Sequence, residues 1–149
     1  MLRKLTALLL GVLLSLIPRA LLGTVFGQTQ DIVAELMPGA YPYLMSASVA
    51  LEFVVAYAMA FVMGFAFWAG TSETWQSSGA WGGSAAAALL VVSNPLGLST
   101  ATPVLLALAL AVRVGGAFHG AWWGERFKDD PRVEGIQGFI FRLNPFPLH

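Results

Sequence analysis

A chain of 149 residues that is 57% hydrophobic and 11% charged, with a mean hydropathy of +0.72, departs from soluble domains, in which about 25% of residues are charged. Eight basic and eight acidic residues cancel, so no net field draws nucleic acid, which is excluded as a partner. With no cysteine in the chain, a disulfide framework, a thiolate metal site and a cysteine nucleophile are excluded as well.

What remains is an all-α membrane protein, expected to form one four-transmembrane-helix bundle over residues 1–149, with short interfacial helices after helix 1 and at the C-terminus. Its first partner is then the lipid bilayer. The amino end has Arg3 and Lys4 ahead of a leucine-rich run, a pattern shared with secretory signals. No A-x-A-like cleavage site follows, and the apolar run continues past Pro18 and Arg19 to Phe26. These residues predict an uncleaved first span over residues 5–26.

Residues 28–43 are more polar. Thr29 is placed to cap a short helix whose Ile32, Val33, Leu36 and Met37 recur at helical spacing, and Pro38-Gly39 stops it. With Asp31 and Glu35 on the other side, this helix is expected to rest on the membrane surface. The second span follows over residues 44–69, within the long apolar run SASVALEFVVAYAMAFVMGFAFWAG, which carries one acidic side chain, Glu52.

A polar connector, TSETWQSS, comes next, surrounded by Trp68, Trp75 and Trp81, the residue type that marks a membrane-water boundary. A third span is predicted over residues 75–94, ended by Asn94-Pro95 because proline cannot continue the helical ladder. After a turn over residues 96–101, Thr102-Pro103 is a cap followed by a first-turn proline, and the fourth span runs over residues 103–123 to Trp122 and Trp123. In the tail, residues 124–149, Val133, Ile136, Ile140 and Leu143 lie at helical spacing. It is too short to cross and is expected to lie in the interface.

Arg3, Lys4, Arg126, Lys128, Arg132 and Arg142 fall on one side of four spans, while the two loops on the other side carry no Lys or Arg. The positive-inside rule puts both termini in the cytoplasm, with the plasma (inner) membrane as the expected location.

Three charges fall within the spans: Arg19, Glu52 and Arg113. At 1.5 Å per residue they lie about 10, 12 and 15 Å from the outer ends of their helices, depths compatible with contact. Each shares a helix face with small residues: Arg19 with Gly11, Ser15 and Gly23; Glu52 with Ser48, Ala56, Ala60 and Gly64; Arg113 with Ala109, Gly116, Ala117, Gly120 and Gly124. Such faces mark close helix packing, here expected within the chain more than in a dimer. Burying an unpartnered charge costs several kcal/mol, so a buried charge cluster or ligand-binding site of Glu52, Arg113, Arg19 and Ser48 is expected, either structural or part of a ligand or ion path.

His119 and the terminal His149 are the two histidines. His119 is expected to be an interfacial side chain, and Asp129-Asp130 a solvated turn. The sequence calls for no cofactor, no metal and no catalytic residue. Scarce chemistry and abundant packing rows favour a non-enzymatic accessory or scaffolding subunit, in contact with other membrane subunits or in a homo-oligomer. The alternatives are a small transporter or ion pathway that uses the charge cluster, and a membrane enzyme acting on a lipid-like substrate.

Overall fold

The computed structural model describes residues 1–93 and 102–146, and among these residues there are helices and no strands. Five α-helices follow one another: α1 (Leu2–Leu36), α2 (Tyr41–Thr71), α3 (Trp75–Ser93), α4 (Pro103–Arg126) and α5 (Pro131–Leu143), with a 3-10 turn, Pro38–Ala40, between the first two. Among the described residues three helices are long and apolar enough to cross a membrane: Leu2–Leu36, Ala47–Thr71 and Pro103–Arg126. The 19-residue α3 is not among them, because its first half is Gln, Ser, Gly and Trp.

The expected surface helix after the first span does not form separately. Its residues are the last turns of the 35-residue α1, because nothing between Phe26 and Pro38 breaks the hydrogen-bond ladder. Thr29 is no cap, since its hydroxyl donates to the Val25 carbonyl inside the helix. The chain does stop before Pro38, at Leu36. Thr102 caps α4 as expected, accepting from the Leu105 amide at 3.4 Å. The predicted stop at Asn94-Pro95 and the turn over 96–101 lie outside the described residues.

On α1 the sides are inverted relative to a soluble helix. Arg3, Ala7, Gly11 and Ser15, spaced four apart, are buried, while Leu5, Leu9, Leu13, Leu16, Ile17 and Leu21 are exposed. Small residues inward and large apolar residues outward is the arrangement that suits lipid surroundings. α2 is the central element and packs on α1, α3, α4 and α5.

Glycine sets the closest approaches. A Cβ on Gly116 would lie 2.6 Å from the Tyr57 carbonyl oxygen, and one on Gly120 would overlap the Phe61 carbonyl. Gly64 is equally closed by Ala117, and Gly124 by the rings of Trp68 and Phe65. The G-x-x-x-G-x-x-x-G row of α4 is thus spent on α2, within the chain.

One end of the molecule is locked by polar contacts. Lys4 Nζ meets Glu73 at 2.6 Å, and the Trp75 amide donates to Glu125 at 2.7 Å. Buried Asn144 donates to the carbonyls of Arg3, at 2.9 Å, and Gly70, at 3.3 Å. The Arg3 guanidinium lies 4.0 Å from the centre of the Phe141 ring and donates to the Phe146 carbonyl. These contacts gather the start of α1, the α2–α3 connector, the end of α4 and the tail at one face, the terminal end. Nearby, Val133 and Ile140 anchor α5 in a core with Phe65, Ala66, Trp68, Ala69 and Ala121.

Candidate functional site

Away from the terminal end the packing opens. The buried row of α1 ends at Ser15, and the next members of that row, Arg19 and Gly23, are exposed. Alanine, glycine and serine let α1 close on α2, and beyond Ser15 no small buried residue continues that row. Beyond it, a Cβ on Gly23 or Gly27 would meet nothing within 4 Å.

The gap is a cavity of about 640 Å³. α1 contributes Arg19, Gly23, Phe26 and Gln30. α2 forms the floor with Ser48, Glu52, Ala56 and Met59, flanked by Leu51, Phe53 and Val55. Leu90 and Ser93 of α3 and Ala109 and Arg113 of α4 complete the wall.

All four residues singled out by the sequence, Arg19, Ser48, Glu52 and Arg113, therefore line one cavity. They do not form the expected buried, neutralised cluster. Glu52 and Arg19 are exposed and Arg113 is half-buried, and the ion pair within 4.0 Å among the described residues is Lys4–Glu73, at the other end. Arg113 turns its guanidinium back to the Ala109 carbonyl of its own helix, at 3.0 Å. Its charge and that of Glu52 still attract across the cavity. The physical reason is the open space along α1 beyond Ser15, where a Cβ on Gly23 or Gly27 would meet nothing within 4 Å, so the charges are not pressed together.

Gln30, Phe26 and Ser93 were not anticipated. Arg19, Gly23, Phe26 and Gln30 follow at intervals of four, three and four, a helical stripe, but it is visible only when α1 is read as continuous through residue 30.

A second polar contact lies elsewhere. His119 is exposed, shares a hydrogen bond with the Tyr57 hydroxyl through Nδ1 and is edge-on to Phe61, with ring centres 5.4 Å apart. Asp130 does more than turn the chain: it caps α5, accepting from the Arg132 amide at 2.8 Å. Among the described residues no group of three or more His, Asp or Glu could hold a metal ion. No protein-family model, curated protein or solved structure matches this chain.

Proposed function

We propose that this is an integral membrane protein with four spans, working as a small transporter or binding protein for a ligand that carries negative charge. The observation that carries the reading is the cavity lined by Arg19, Arg113 and a single carboxylate, Glu52. Two cations to one anion leave a surplus positive charge, and a charge held within an apolar span calls for a partner. An anionic group between the arginines supplies it through charge-assisted hydrogen bonds. Glu52 then competes with the ligand for the arginines, and that competition is a means of release.

The fourth span is supported by the terminal end of the molecule. Contacts there hold the end of α2 beside the end of α4. If α2 and α4 both cross toward that face, α3 is the segment that returns the chain. The accessory-subunit reading rested on scarce chemistry-bearing residues and on small-residue rows, and the rows on α4 are occupied by α2.

The test is binding by the purified protein in phosphatidylcholine nanodiscs, using radiolabelled inorganic phosphate and dodecyl phosphate as probes. Saturable binding of at least one is expected, weakened at least about tenfold in Arg113→Gln, the scale of one lost contact to a charged group. Lys128→Gln, at the other end of the molecule, should bind like the parent. If neither probe binds saturably, the reading falls.

A further inference from the structure

Resting on that reading, we propose that the ligand is an amphiphile, an anionic head on a hydrocarbon chain, drawn sideways from the bilayer through the gap beside α1. Three features of the cavity converge on this class.

The first is its depth. Glu52 lies five residues inside the apolar span Ala47–Thr71 and Arg113 ten residues inside Pro103–Arg126, roughly 8 and 15 Å at 1.5 Å per residue, so both stand within a hydrocarbon layer about 30 Å thick. A ligand reaching them passes apolar surroundings whichever way it enters.

The second is the lining. Beside its charges, a few polar groups and three small residues, the wall carries the large apolar side chains Phe26, Leu51, Phe53, Val55, Met59 and Leu90. A small hydrated anion gains nothing from these side chains, whereas a hydrocarbon chain already out of water, a transfer favoured by about 0.8 kcal/mol per methylene, lies against them at no loss because they are as apolar as lipid tails. An anionic head between the arginines with its chain along this wall satisfies both halves of the cavity.

The third is the mouth. Arg19 and Glu52 are exposed side chains on adjacent helices, and the stretch of α1 beyond them carries Gly23 and Gly27 with open space where a side chain would be. In a membrane that space is occupied by lipid chains, so the cavity is continuous with the bilayer.

Gly23 provides a direct test, because it lines the cavity yet a Cβ there would meet nothing within 4 Å. Gly23→Phe sets a bulky ring at the mouth, starting from a Cβ that has open space around it. Gly27→Phe is the control, being equally open but outside the lining residues. Retention of radiolabelled dodecyl phosphate and of inorganic phosphate is measured in phosphatidylcholine nanodiscs holding the parent or each variant, with empty nanodiscs subtracted.

The expected result is that dodecyl phosphate binds the parent at least about a hundredfold tighter than inorganic phosphate, as burial of a few methylenes requires. Gly23→Phe should lose that binding and Gly27→Phe should keep it, both with the parent's helical circular dichroism. Equal affinity for the two probes, with dodecyl phosphate unaffected by Gly23→Phe, overturns the amphiphile inference and leaves the anion site standing. Absence of binding by both probes removes the two together.

Discussion

Gly120 shows how strongly a single position controls this packing. Its Cα hydrogen faces the carbonyl of Phe61, so a methyl group there has no room, and the obstacle is backbone that cannot rotate aside. Gly83, on the other contact surface of α3 and α4, differs: a Cβ would lie 3.5 Å from Val114 Cα, an ordinary contact. Alanine improves helix propensity by about 1 kcal/mol at either site, so steric fit decides the sign. We expect Gly120→Ala to destabilise the protein by about 1–3 kcal/mol, the range for overpacking, and Gly83→Ala to be neutral or stabilising. Denaturant unfolding in mixed micelles, followed by tryptophan fluorescence, separates the two, and equal loss in both would contradict the packing described here.

At the scale of elements, the start of α1 is tied to the α2–α3 connector by Lys4 and Glu73. Burial raises the Glu73 carboxyl's pKa, but hydrogen bonds from Lys4 and Ser77 and the charge of Lys4 outweigh it, leaving the group below its ordinary value of 4.5. A carboxyl with a lowered folded value adds stability that is fully present above its unfolded value and is lost as pH falls through the folded one. The junction should therefore loosen below about pH 4.5, and Glu73→Gln should remove that part of the acid response. Both side chains are partly exposed, so the pair is worth under about 1 kcal/mol, read from amide exchange at residues 2–15 between pH 3 and 6. Helix starts and stops in this chain are legible because Pro38, Thr102 and Pro103 act locally. The α1 continuation is not, since polar Gln28, Thr29 and Gln30 are compatible with both a loop and an exposed helix, and only the unbroken ladder decides. The site was half legible: the rows of Arg19, Glu52 and Arg113 pointed toward one cavity, but the spacing between charges depends on how closely α1 packs beyond Ser15, which no helical period encodes.

For the whole molecule, the separation into a locked terminal end and an open far end has a consequence for topology. α1 is 35 residues long, roughly 52 Å at 1.5 Å per residue, against a hydrocarbon layer of about 30 Å. Its polar last turns, with Gln28, Gln30, Asp31 and Glu35, therefore stand beyond that layer at the open end. The terminal end holds Ser72 and, past the end of α4, Gly135, and both are exposed. Four crossings put residues 72 and 135 on one side and residue 39 on the other. If α3 stays on the side of residue 72 and α4 crosses, residue 135 joins residue 39. Since the chain has no cysteine, single substitutions Gly39→Cys, Ser72→Cys and Gly135→Cys report sidedness without background. Gly39 and Gly135 have open space around a Cβ, so those two changes leave the packing intact. In sealed cells with an impermeant maleimide, we expect Gly39→Cys to be labelled, and Ser72→Cys and Gly135→Cys to be labelled only after permeabilisation. Labelling of Gly39→Cys and Gly135→Cys together would assign three crossings and separate the ends of α2 and α4, which the Trp75–Glu125 and Asn144–Gly70 contacts hold at one face.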